Sequence, residues 1–249
     1  MILTYLLYVL LGFLPSLIWL LFYLRKDSHP EPKNQIIQIF IWGMMIGPLA
    51  AILEFALLWL TGPTIGLEKI FSTYAQFSDG WRGLVGLIVI APAVEEYLKY
   101  RIVRTKTLSD SDFDEPLDAM IYLIVGALGF AAIENLLVIL KMSVSPLEEV
   151  LGTISIRFVG ATFLHALSSG IVGYYLAKSL CETKKRFPLI IQGLALAIVF
   201  HGSYNYLIDA AETYKPAIYL IVVLLTAMAI FVSYGFGKLK KELSVCKIT

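Results

Sequence analysis

Charge is scarce in this chain of 249 residues: Asp, Glu, Lys and Arg make up only 16% of it, and the formal net charge is +1. A near-neutral chain with no concentrated basic face excludes an electrostatic nucleic-acid binder. Cysteine is scarcer still. Cys181 and Cys246 are the only two, and both fall in segments that read as cytoplasmic, so neither a disulfide framework nor a thiolate metal site is expected. Gly-x-Ser-x-Gly and His-Glu-x-x-His are both absent, which argues against serine catalysis and a conventional zincin. The opening stretch, Met1-Ile-Leu-Thr-Tyr-Leu-Leu, lacks the basic n-region and small-residue cleavage site of a signal peptide and reads as a retained first span. No convincing internal repeat appears, so an inverted-repeat transporter is not indicated.

Apolar residues fill the space that charge leaves. They make up 58% of the chain, and the mean hydropathy is +0.78, whereas soluble domains run at about 45–50% apolar. An all-α, polytopic transmembrane bundle follows. Crossing roughly 30 Å of hydrocarbon takes about 20 residues of helix. Seven such runs lie near 2–24, 36–60, 83–103, 117–140, 154–177, 188–208 and 217–236, forming one membrane-embedded domain over 1–249. Turn-forming stretches separate them, none long enough for a soluble domain. Arg25, Lys26 and Lys33, then Arg101, Arg104 and Lys106, then Lys178, Lys184, Lys185 and Arg186 load the odd connections, and the tail carries Lys238, Lys240, Lys241 and Lys247. Even connections hold only Lys69 with Arg82, Lys141, and Lys215. The positive-inside rule then puts the N-terminus outside and the C-terminus in the cytoplasm of a multi-pass cell-membrane protein. Trp59 and Trp81 suit the outer interfacial belt, Trp19 and Trp42 the inner one.

Against this apolar background a few polar side chains stand out. Glu95, Glu96 and Lys99 lie in the third run just after Pro92, which is expected to kink the helix. Lys99 faces Glu95 at i,i+4 and Glu96 at i,i+3. Glu134 and Asn135 lie in the fourth run, His165 and Ser168 in the fifth, and His201 and Asn205 in the sixth. Each charge at a bilayer centre costs about 2.5–3.5 kcal/mol on insertion scales, so four consecutive spans carrying such groups point to one shared polar cavity. Glu54 and Arg157 are isolated in sequence and are expected to snorkel to the outer interface. Asp118, beginning the fourth run, is accounted for by the helix dipole. Counting straight helices at about 1.5 Å per residue puts Glu95 past the midplane toward the cytoplasm and Glu134 in the outer third, about 10 Å apart.

A Glu pair, a Lys, two His and two Asn can activate water and stabilise an oxyanion. One Glu serves as general base while its neighbour manages the proton, Lys99 tunes the pair, and Glu134 and Asn135 position water or peptide. His165, His201 and Asn205 bind the oxyanion or a metal. A zinc site from Glu134, His165 and His201 is chemically adequate. Two other classes use similar residues: a proton-coupled transporter or channel, and a non-catalytic membrane binding or immunity protein.

Glu95-Glu96-x-x-Lys99, Phe130-x-x-x-Glu134-Asn135, His165-x-x-Ser168 and His201-x-x-x-Asn205, in this order on successive spans, resemble the PrsW-type intramembrane proteases, distant relatives of the CAAX-processing endopeptidases. The resemblance covers spans three to six. It implies a glutamic-type peptidase in which Glu95 and Glu96 are catalytic and Glu134, His165 and His201 belong to the site. It also implies a membrane-anchored substrate, such as an anti-sigma factor cut on its extracytoplasmic side at the start of a stress-signalling cascade. The CAAX branch typically has Arg one position after Lys99, where this chain has Tyr100, which favours the PrsW side. No cofactor is expected, because neighbouring helix residues point about 100° apart and rarely share one ion; zinc is the alternative. The topology has a direct test: a Cys at Ser78 should react with an impermeant maleimide in intact cells and one at Ser244 should not, and the reverse pattern would invert the orientation.

Overall fold

The computed structural model describes residues 2–27, 29–60, 80–108 and 113–241. Lys69, Ser78, Ser244, Cys246 and Lys247, which carry parts of the topology and cysteine expectations, lie outside the described residues. Within them the chain is helical and has no strand. The helices are α1 (Ile2–Leu24), α2 (Lys33–Leu60), α3 (Gly80–Val85), α4 (Ala91–Thr107), α5 (Pro116–Lys141), α6 (Leu147–Val159), α7 (Ala161–Cys181), α8 (Arg186–Thr213) and α9 (Ala217–Leu239). A π turn (Gly86–Ile90) joins α3 to α4, and a 3-10 turn (Thr183–Lys185) precedes α8. Six segments are long and apolar enough to cross a membrane. The stretch from α3 to α4 is not among them, since α4 alone carries Glu95, Glu96, Lys99, Arg101, Arg104 and Lys106.

Helix α5 is the axis of the bundle. Every residue from Pro116 to Ala132 is buried, as befits a helix that is apolar all round. Around it stand α1, α2, α4, α7 and α9. Lipid gives apolar side chains no reason to leave it, so the helices associate through close packing, and small residues let backbones touch. At the α2–α5 crossing a Cβ on Gly43 would lie 2.0 Å from the Gly126 carbonyl oxygen, and one on Gly129 would lie 2.1 Å from that of Phe40. The start of α5 is tied down by more than its dipole. The Asp118 carboxylate accepts the backbone N–H groups of Asp114 and Glu115 at 3.0 and 2.7 Å, and the Tyr122 hydroxyl donates to Glu31. His29 Nδ1 meets Glu115 Oε1 at 2.7 Å, so the first and third connections share one end of the bundle.

Two irregularities shape the interior. The run expected as one span near 154–177 is two helices that meet at Gly160, whose φ of −105° and ψ of −96° interrupt the ladder. Trp19 Nε1 donates to the Phe158 carbonyl beside this break at 2.9 Å, and its ring stacks on Phe163 at 4.2 Å. Trp19 is therefore an internal partner of the break rather than a residue of the inner belt. The kink expected at Pro92 is the second irregularity, and it takes the form of the π turn. The Ala91 N–H bonds to the Gly86 carbonyl, five residues back. In that register the next bond would run from residue 92 to Leu87, but Pro92 has no N–H to give. Asn205 on α8 fills the gap, donating from Nδ2 to the Leu87 carbonyl at 3.1 Å. Gly202, one turn earlier on α8, lies so close that a Cβ there would be 2.0 Å from the Ile88 carbonyl oxygen.

Two outcomes are expected. Asn205→Leu strips the Leu87 carbonyl of its donor inside the membrane and should cost about 1–3 kcal/mol of stability. Lost activity with an unchanged melting temperature would instead assign Asn205 to the chemistry. Burial, reinforced by neighbouring Asp118, pushes the Glu31 carboxyl up to about 9 from 4.5. The unfolded chain therefore ionises Glu31 first, and the stability it contributes is full below 4.5 and lost as pH rises through 9. Glu31→Gln stays neutral, so its melting temperature relative to the parent should climb from about pH 5 to about pH 8.5. A difference that does not change with pH would refute this.

Candidate active site

Glu95, Glu96 and Lys99 share one face of α4, as their spacing predicts. The Lys99 ammonium lies 3.1 Å from Glu95 Oε2 and 3.0 Å from Glu96 Oε1. It also lies 2.8 Å from His165 Nδ1 on α7 and 4.2 Å from the centre of the Phe130 ring on α5. A cation with no exposed side-chain surface is thus matched by two carboxylates, a lone pair and an aromatic face.

The two carboxylates differ in what holds them. Glu96 Oε1 accepts from Lys99, from the Ser168 hydroxyl at 3.0 Å and from His201 Nδ1 at 3.0 Å, and its Oε2 accepts from Ser169 at 3.3 Å. Among the described residues Glu95 has Lys99 as its one hydrogen-bond donor, with His165 Nδ1 at 3.8 Å and His201 Nε2 at 4.0 Å. Its side chain keeps 3% exposure, against none for Glu96. Glu96 is saturated and Glu95 is not.

Beyond His165 the network continues outward. His165 Nε2 lies 2.7 Å from Glu134 Oε2. Arg157 Nη2 donates to the same oxygen at 3.2 Å, and its Nε donates to Asn135 Oδ1 at 2.6 Å. Asn135 Nδ2 in turn donates to the Thr162 hydroxyl at 2.9 Å. These contacts assign the tautomers. His165 carries its proton on Nε2, facing Glu134, and turns the Nδ1 lone pair to Lys99. His201 carries its proton on Nδ1, facing Glu96, and turns the Nε2 lone pair toward Glu95.

All of the residues singled out in the sequence except Asn205 therefore meet in one hydrogen-bonded network, and Asn205 braces the π turn beside it. Glu95 and Glu134 face opposite nitrogens of the His165 ring, at 3.8 and 2.7 Å, so one imidazole bridges two carboxylates that straight-helix counting sets about 10 Å apart in depth. Arg157 is no isolated snorkelling residue, since it holds Glu134 and Asn135, and Glu54 is buried at 3% exposure. Ser168 and Ser169 were undervalued, although i+3 and i+4 spacing from His165 puts them on its face. Arg157 had a signal too: a charge inside a membrane-grade run is a functional suspect wherever it stands.

A metal-ligand set is present, in a form the sequence reading did not expect. One donor atom each from Glu95, Glu96, His165 and His201 lie within 4.8 Å of one another. Long Glu side chains swing back to a common point although their Cα–Cβ bonds diverge by about 100°. Two imidazoles and two carboxylates suit zinc in type and number. Glu134 is not in this set, because it binds the opposite nitrogen of the His165 ring. Three of the four ligand side chains already contact Lys99, so an ion would compete with its ammonium.

Comparison with known proteins agrees with this geometry. The curated relatives include Protease PrsW of Geobacillus kaustophilus, 27% identical over 77% of this chain and 74% of that protein. Protease PrsW of Clostridioides difficile is 27% identical over 86% of this chain and 83% of its own length. Protease PrsW of Bacillus subtilis is 25% identical over 90% and 89%. No solved structure matches the chain significantly. The family model described as PrsW family intramembrane metalloprotease matches residues 31–233, a range that takes in every residue of the buried Glu–Lys–His network, and the chain belongs to that family of membrane-embedded peptidases.

Proposed function

We propose that this protein is an endopeptidase that cuts a membrane-anchored protein, an anti-sigma factor being the expected substrate, with Glu95 as the base that activates water. The observation that carries the reading is the unequal hydrogen bonding of the Glu pair. A base must have lone pairs to offer, and among the described residues Glu95 accepts from Lys99 alone whereas Glu96 accepts four hydrogen bonds. Glu95 Oε2 and His201 Nε2 are both acceptors, 4.0 Å apart. A water donating one proton to each fits between them.

Attack forms the bond from the water oxygen to the scissile carbonyl carbon as Glu95 takes the water proton. The C–N bond then breaks, and Glu95 returns that proton to the leaving amine. Lys99 holds Glu95 in place and its positive charge favours the developing oxyanion. Glu96 holds Lys99, His201 and both serines in register, and Glu134 fixes the His165 tautomer. If zinc is bound, Glu95, Glu96, His165 and His201 would hold it, and it would supply Lewis-acid polarisation of the carbonyl. The metal-free reading rests on Lys99, a resident cation among those same donors. N-terminus out and C-terminus in completes the proposed arrangement.

Proteoliposomes with a labelled single-span substrate test the reading. A protease cleaves it, a transporter dissipates a pH gradient, and a binder does neither. Glu95→Gln should reduce cleavage by at least about a hundredfold, whereas Glu182→Gln, on the exposed end of α7, should leave it unchanged. Elemental analysis and chelator titration decide the metal. Stoichiometric zinc, whose removal and return switch cleavage off and on, would falsify the metal-free mechanism.

A further inference from the structure

The break at Gly160 opens onto a groove of about 910 Å³ between the α6–α7 junction, α8 and α9, lined by Ile156, Gly160, Phe163, Tyr204, Ile208 and Ile218 among others. Along α8 it runs from Tyr204 to Glu212, about 12 Å or a little over two helical turns. Its walls are mainly apolar, with Glu212 and Lys215 toward the end away from the network, and Tyr204 brings a hydrogen-bond donor to its inner end. The Tyr204 side chain is only 5% exposed, its hydroxyl is seated against Gly160, where a Cβ would lie 2.4 Å from it, and no described residue accepts its proton. Arg157, adjoining the groove-lining Ile156 and 20% exposed, uses Nε and Nη2 on Asn135 and Glu134 and keeps Nη1 without a partner among the described residues.

We infer that this groove is the cradle for the transmembrane segment of the substrate, with the Tyr204 hydroxyl and Arg157 Nη1 binding main-chain carbonyls where that segment unwinds toward Glu95. The inference rests on the peptidase reading above. A helix in lipid satisfies its own backbone, and a scissile bond is reached only by opening that ladder, which leaves carbonyls costing several kcal/mol each unless donors replace the lost N–H groups. The Tyr204 hydroxyl, on the groove lining one turn from His201, and Arg157 Nη1, next in the chain to the lining residue Ile156, meet that need. A lipid acyl chain would fill the same walls and make no use of either donor.

The test uses the full-length protein in proteoliposomes. A photocrosslinking residue at Ile218, on the groove wall away from the network, should capture a single-span substrate when placed in the uncleaving Glu95→Gln background. Capture of lipid alone would overturn the inference. Tyr204→Phe removes one donor and leaves the Glu–Lys–His contacts untouched. It should raise KM about five- to tenfold with kcat nearly constant, at unchanged melting temperature. A fall in kcat at constant KM, or no change in either, would overturn the substrate-binding role. Cleavage by the parent protein is scored separately: if it fails, the peptidase reading falls, whereas crosslinking without a Tyr204→Phe effect sinks only the assignment of the donors.

Discussion

The bundle is organised around the problem of burying the Lys99 ammonium, which has no exposed side-chain surface. An unpaired charge at that depth would be costly, so each neighbouring element supplies a partner: Glu95 and Glu96 from its own helix, His165 from α7, the Phe130 ring from α5. The demand then propagates. Glu96 needs acceptor capacity filled and draws in Ser168, Ser169 and His201, while His165 needs an acceptor for its other nitrogen and finds Glu134. Arg157 closes the series at the only partly exposed end. Removing one member of such a network leaves its partner buried and unmatched, which costs more than the net contribution of the pair.

The central helix is close-packed along its buried run from Pro116 to Ala132. Helix α5 supplies few polar groups to the network, yet it fixes the separation of α4 and α7 between which the ammonium sits. The backbone contacts at Gly43 and Gly129 set that spacing through α2. A residue far from any carboxylate can thereby govern catalytic distances.

Much of this was legible beforehand, and the reason is specific to membranes. In lipid a charged residue needs a justification, so Glu95, Glu96, Lys99, Glu134, His165 and His201 could be picked out from the apolar runs around them. Helix content and the apolar runs followed from hydropathy in the same way. What failed was anything that depended on a departure from the straight helix. The internal partner of Trp19 and the Gly160 break inside the apolar segment Leu147–Cys181 both lie outside what a regular helix predicts. Arg157 and Glu54 were misread because isolation in sequence was taken for isolation in space. Serine in a membrane helix usually bonds its own backbone, as Ser168 does to the His165 carbonyl, and only the position of Glu96 shows that Ser168 and Ser169 also reach a carboxylate.

The π turn also has a meaning for the length of the chain. Five-residue hydrogen bonding holds one residue more than an α-helix would between the same two fixed ends, so Gly86–Ile90 behaves as a one-residue insertion in an otherwise ordinary helix. Forcing all of these residues into α register, with none removed, would instead rotate the whole of α4 by about 100° about its axis. Glu95, Glu96 and Lys99 would then leave the face they share with His165 and His201, with every one of those side chains still present in the chain. Reading frame along the helix, as much as residue identity, is what this site inherits.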